Sequence, residues 1–131
     1  VVIVDTTVWI DYFRGNSNPE TDWLHVELVR RRLGIIDVIL CEVLQGVRDE
    51  PTAADVERQL LRLQVFQSGG VDLARDAARH CRMLRSHGRT VRKTIDCLIA
   101  TFCIRERHEL LHRDRDFDPF EQLLELAVVH P

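Results

Sequence analysis

The sequence contains no apolar run of the roughly eighteen residues that a membrane-spanning helix needs. Its first residues lack the basic region, apolar stretch and small-residue cleavage site of a secretory leader. The expectation is therefore a cytoplasmic protein without membrane attachment. The four cysteines, Cys41, Cys81, Cys97 and Cys103, include no CxxC pair. Each lies in an apolar or helical run, so buried reduced thiols are expected rather than a zinc site, a disulfide framework or a catalytic thiol. Positive charge is not in excess either: the formal net charge is -3, so no whole-molecule field advertises a nucleic-acid partner. Repeats, linkers and low-complexity segments are also missing, which leaves no boundary at which to divide the chain.

What is present suits one domain over residues 1–131, 45% of them hydrophobic, because a chain of this size buries about two thirds of its unfolded surface. Charge is unevenly distributed. Between Arg75 and Lys93 stand Arg79, Arg82, Arg85, Arg89 and Arg92, opposed only by Asp76. Such a stripe can contact phosphates or simply form the solvated face of a helix, and the sequence leaves both readings open.

Val1 to Val4 is a β-branched apolar run ending at Asp5, which predicts a buried strand with Asp5 at its carboxyl end. Thr6 or Thr7 can cap a short helix from Val8 to Arg14. Asn18-Pro19-Glu20 opens a second helix, expected to end near Gly34. Ile35-Ile36 is a second strand, and Asp37 can cap a helix from Val38 to Val47. Pro51 opens a further helix, Val65-Phe66 is a third strand, and Asp72 to His87 is helical. Thr94 is expected to cap a helix in which Ile95, Leu98, Ile99 and Phe102 recur at core-facing spacing. Leu110 to His112 is a fourth strand, followed by a short helix from about Pro119 to Leu126 and a last strand, Ala127 to Val129. Alternation of this kind predicts an α/β fold with a mostly parallel sheet between two helical layers.

The carboxylates carry the chemistry. Burying an unpaired carboxylate costs several kcal/mol, so acids beside apolar runs demand a compensating charge. Asp5 ends an apolar strand, Glu42 shares a helix face with Ile39, Val43 and Gly46, and Asp96 is flanked by Ile95 and by Cys97-Leu98-Ile99. Asp5 and Asp114 fall at the carboxyl ends of strands, where open parallel sheets bind ligands. A magnesium ion, or manganese, suits such an all-oxygen set, and can acidify water and neutralise charge on a phosphodiester. Residue by residue there are structural alternatives: Asp5 as a helix cap, Asp96 as a favourable charge at a helix start, Asp114 and Asp116 as solvated loop acids. His108 and His112 are four apart, but an intervening strand would separate them as metal ligands. Trp9, Tyr12 and Phe13 suit core or dimer packing, with base stacking as the alternative.

These motifs resemble the PIN-domain nucleases, and within them the VapC-type toxins of toxin–antitoxin pairs. Val4-Asp5-Thr6-Thr7-Val8-Trp9, Cys41-Glu42-Val43-Leu44, Thr94-Ile95-Asp96-Cys97-Leu98 and His112-Arg113-Asp114-Arg115-Asp116-Phe117 are similar to that family's four successive motifs, in order and spacing. The resemblance implies a three-layer α/β/α fold and magnesium-dependent endonuclease action on RNA. It implies metal-binding acids at Asp5, Glu42, Asp96 and Asp114, with Asp5 and Asp96 closest to the ion and Asp116 a further contributor. Thr6 and Thr94 would steady the carboxylates or touch substrate, and Arg113 and Arg115 would position RNA phosphates or hold the acids apart. A homodimer and a VapB-type antitoxin that blocks the site are implied as partners. One departure is His112, where many relatives carry threonine or serine. Two rival readings are phosphoryl transfer through an aspartyl-phosphate on Asp5, whose usual second acid is replaced here by Thr7, and a non-catalytic module that only receives a partner.

Overall fold

Val2, Ile3 and Val4 are all buried, as a strand covered on both faces must be, and they form β1 (Val2–Val4) of the computed structural model, which describes residues 1–131. Beside β1 lie β2 (Leu33–Ile36) and β4 (Glu109–Leu111), and β3 (Gln64–Phe66) adds to the far side of β2. The order is β3-β2-β1-β4 and every pairing is parallel, with Ile3 opposite Gly34 on one side and Leu110 on the other. The sheet is flanked by α1 (Thr6–Phe13), α2 (Pro19–Glu27), α3 (Asp37–Gln45), α4 (Glu50–Leu60), α5 (Gly70–Ser86), α6 (Thr94–Glu106) and α7 (Asp118–Leu124). Helix α1 packs on α2 and α3, and α5 packs on α6 and α7. No helix is long and apolar enough to cross a membrane.

Strand order reverses between β1 and β4, so the chain diverges in opposite directions from the carboxyl ends of these two strands. A crevice opens at such a point in a parallel sheet. The backbone N–H of Asp5 donates to the carbonyl of Leu111 at 2.9 Å, which ties the two strand ends together beneath it.

Local differences from the expected elements have identifiable causes. Asp5 itself, not Thr6 or Thr7, is the N-cap of α1, and its side chain accepts the N–H of Thr7. Helix α2 begins at the Asn18 capping box with Pro19 at its start, but ends at Glu27 rather than near Gly34. Gly34 is drawn into β2 instead, where an added Cβ would stand 2.7 Å from the Phe66 ring and 2.9 Å from Ile3 Cδ1. Only glycine lets these neighbours close over the strand. Asp37 is the first residue of α3, and Lys93, not Thr94, is the N-cap of α6, with no side-chain capping bond in either helix. Helix α5 begins at Gly70, ahead of Asp72. The expected last strand reduces to a single parallel bridge between Val128 and Leu110. Cys81 and Cys97 face each other between α5 and α6, with Cα atoms 6.7 Å apart, while Cys41 is an exposed free thiol. Cys97 and Cys103 are buried as expected, whereas Cys81 is half-buried and Cys41 exposed.

Candidate active site

Asp5 is 2% exposed. Its position follows from β1 stopping and α1 starting at the same residue, so the strand end and the helix cap coincide. Thr7, two residues on, donates to Asp5 Oδ2 twice: from its hydroxyl at 2.7 Å and from its backbone N–H at 3.1 Å. The same hydroxyl accepts the backbone N–H of Arg113 at 3.2 Å, so Thr7 links the start of α1 to the loop after β4. Burial, reinforced by repulsion from Glu42, raises the Asp5 carboxyl to a pKa of about 6 against the pull of these hydrogen bonds. Being buried and committed to a cap, Asp5 is poorly placed as a nucleophile toward a phosphate, which argues against the aspartyl-phosphate reading.

Glu42 comes from α3, one turn after buried Ile39 and next to buried Val43, and is itself half-buried. The hydroxyl of Thr6 donates to Glu42 Oε1 at 2.7 Å. Asp96 lies in the first turn of α6 and is 6% exposed. Its carboxyl is raised to about 7, chiefly by burial, then by repulsion from Asp5, Asp114 and Glu42, with Lys93 pulling the other way. One of its oxygens, Oδ2, is buried and has no hydrogen-bond partner.

Asp114 follows β4 and caps the 3₁₀ turn Arg115–Phe117, accepting the N–H of Asp116 at 2.9 Å. That turn carries Asp116 back toward Asp96. One carboxylate oxygen from each of Asp96, Asp114 and Asp116 lies within 4.8 Å of the others, a spacing at which a shared cation can meet all three. Asp5 and Glu42 adjoin this trio, close enough to repel Asp96, but stand outside it.

Other sequence candidates fall into different places. Thr94 is exposed and bonds no carboxylate. Arg113 pairs with Asp11 at 3.6 Å and Glu20 at 3.4 Å, on α1 and α2, rather than with the acids of its own loop. Arg115 is exposed and has no carboxylate within 4.0 Å. His112 accepts the backbone N–H of Asp114 on Nδ1 at 3.1 Å, so the histidine at this departure from the usual pattern shapes the loop that presents Asp114. Burial lowers its pKa, which keeps the ring neutral and able to accept. Trp9 is 2% exposed and packs against Phe13 and Tyr12, so it cannot stack a base. Thr7 is the residue at this candidate site whose contact with Asp5 the sequence did not reveal.

The sequence profile of the PIN domain matches residues 2–122. The chain belongs to the PIN domain family. VapC ribonuclease Mb1587 of Mycobacterium bovis and ribonuclease VapC11 of Mycobacterium tuberculosis are each 32% identical to it over 134 aligned positions, covering 98% of this chain and 97% of the relative. Among solved structures, FitAcB of Neisseria gonorrhoeae superposes with a TM-score of 0.77 at 16% identity, covering 100% of this chain and 98% of that one. VapBC2 of Rickettsia felis, solved on a DNA fragment from its promoter, gives 0.75 at 16% identity, covering 98% and 96%. At that identity the likeness concerns the fold, and it is the PIN fold, a parallel sheet between helical layers with acids at the carboxyl edge.

Proposed function

We propose that this PIN-domain chain is an endoribonuclease toxin that hydrolyses RNA phosphodiester bonds with a divalent cation, magnesium or manganese, held by Asp96, Asp114 and Asp116. The observation that carries the reading is the buried, partnerless Oδ2 of Asp96 in a trio of carboxylates whose oxygens lie within 4.8 Å of one another. Leaving such an oxygen bare is costly, and an all-oxygen donor set fits a hard cation. The naming of its 32%-identical relatives as VapC ribonucleases supports the choice of RNA.

When bound, the cation would offset charge building on the phosphate and lower the pKa of water. The chain's own residues do the rest. Asp5 completes the acidic wall, held in orientation by Thr7. Glu42, with one oxygen committed to Thr6, keeps a second acceptor with which to orient water. His112 and the 3₁₀ turn fix Asp114 and Asp116, so the acids are positioned before substrate arrives. Arg115, free of acidic partners, is available to an RNA phosphate.

As partners we propose a VapB-type antitoxin and a second copy of this chain, in the cytoplasm where RNA is met. Support comes from the solved neighbours of like fold, several of which are toxin–antitoxin complexes. The test is cleavage of RNA with magnesium, with manganese and with chelator, by the natural chain and by Asp5→Asn and Asp96→Asn. Metal-dependent cleavage lost in both variants, with unchanged circular dichroism, is expected. Undiminished cleavage by both would refute the proposal.

A further inference from the structure

The arginine stripe after Arg75 is not absorbed by the acidic site. Arg75, Arg79, Arg82 and Arg85 are all exposed on α5. Arg79 is neutralised by Asp76 at 3.1 Å, but Arg75, Arg82 and Arg85 have no carboxylate within 4.0 Å. The same holds for Arg92 and Lys93, just ahead of α6. Cationic side chains left without acids on a protein of net negative charge are a local excess that favours a polyanion.

A groove of about 580 Å³ runs between α5 and the start of α6, and both Arg82 and Arg85 line it. Its lining is mostly apolar, including Ala78, Val91 and Leu98, and takes in Thr94 at the start of α6. Thr94 has no side-chain partner within the chain, so its hydroxyl is available to a ligand. An apolar floor with cations on its wall suits a single-stranded nucleic acid, whose bases lie on the floor while its phosphates meet the guanidinium groups.

We propose that the α5–α6 groove binds single-stranded RNA apart from the acidic site, with Arg82 and Arg85 binding its phosphates and Thr94 meeting the chain at the start of α6, the helix that carries Asp96. The assignment rests on the ribonuclease reading above and takes up the phosphate-contact reading of the stripe. Arg82 and Arg85 act by binding; neither touches the reacting phosphate.

Binding of a fluorescein-labelled single-stranded RNA to the Asp96→Asn protein in magnesium, followed over a range of salt, tests it. Adding Arg82→Gln and Arg85→Gln should reduce the slope of log K against log salt by about 1.4, from roughly 0.7 per lost phosphate contact. In the otherwise natural chain the same pair should raise KM for RNA more than it lowers kcat. Removing equal charge outside the groove, by Arg30→Gln and Arg58→Gln, should leave the slope unchanged. An unaltered slope and KM in the groove variant, while the natural chain cleaves RNA, would overturn the groove assignment alone. Dissociation of a dimer by the groove variant, with RNA affinity intact, would likewise overturn it and make the groove a self-contact. Absence of RNA cleavage by the natural chain would remove the reading on which it depends.

Discussion

On the α1–α3 side of the acidic site each carboxylate has its own threonine: Thr7 for Asp5 and Thr6 for Glu42, both at 2.7 Å. On the α6–β4 side three carboxylates face one another, and Asp96 Oδ2 is buried without any donor. Both sides carry acids at the carboxyl edge of one sheet, yet one is satisfied by the protein and the other is not. The difference separates two tasks. Threonine-held carboxylates are fixed in direction, whereas the clustered trio, with Asp96 Oδ2 bare, has electrostatic strain that a cation relieves, so metal affinity should reside mainly with Asp96, Asp114 and Asp116.

Substitutions that treat the two sides differently can break or sharpen this contrast. The largest effect is expected at Asp96→Asn, with cleavage falling at least about a thousandfold as the cation site loses its most buried ligand. Asp5→Asn should abolish cleavage comparably while leaving more of the metal affinity.

Next in size is the pH dependence of metal-free stability. The folded-state pKa values of Asp5 and Asp96, about 6 and about 7, lie above the 3.8 expected of an unfolded chain. Between these limits the folded protein binds more protons than the unfolded one, so the stabilisation is complete below pH 4 and is lost as pH rises through 6 to 7. The Asp5 shift alone corresponds to a fall on the order of 3 kcal/mol. Urea unfolding in chelator should show this decline, magnesium should flatten it, and Asp96→Asn should reduce it without metal. A metal-free stability that rises over the same interval would contradict the burial argument.

Smaller effects are expected from the threonines. Thr7→Val removes the hydroxyl that orients Asp5 and should slow cleavage about ten- to a hundredfold. Thr6→Val, acting through Glu42, should cost about tenfold or less. Single-turnover rates at saturating metal measure both, and equal effects at Thr94→Val would show that the assignment of threonines is wrong.

Much of this was legible because apolar runs and their interruptions report burial directly. Asp5 at the end of Val1–Val4 and Glu42 between Ile39 and Val43 stand out as charges where apolar side chains belong. Which threonine serves which acid depends on the register at a helix start, and that register is set by tertiary contacts. Because Asp5 is the cap, Thr7 turns back onto it and Thr6 points across to α3; because Lys93 is the cap of α6, Thr94 has no acid in reach. Asp116 reads as one more solvated charge in Arg113–Asp118 until the 3₁₀ turn brings it toward Asp96. The early end of α2 was hidden for a similar reason: Leu28–Arg32 has no stop signal of its own, and Gly34 is claimed by the close approach of Phe66 and Ile3. The approach of Cys81 to Cys97 depends on how α5 lies on α6, which no local pattern encodes.

Calorimetric titration of manganese into the natural chain and into Asp96→Asn near pH 6.5, in two buffers of different ionisation enthalpy, bears most directly on the carboxylate trio. Binding by the natural chain with release of a proton, and loss of that binding in the variant, is the expected result. Equal manganese affinity in the two proteins, with no proton released, would mean that the carboxylates of Asp96, Asp114 and Asp116 do not form the metal site.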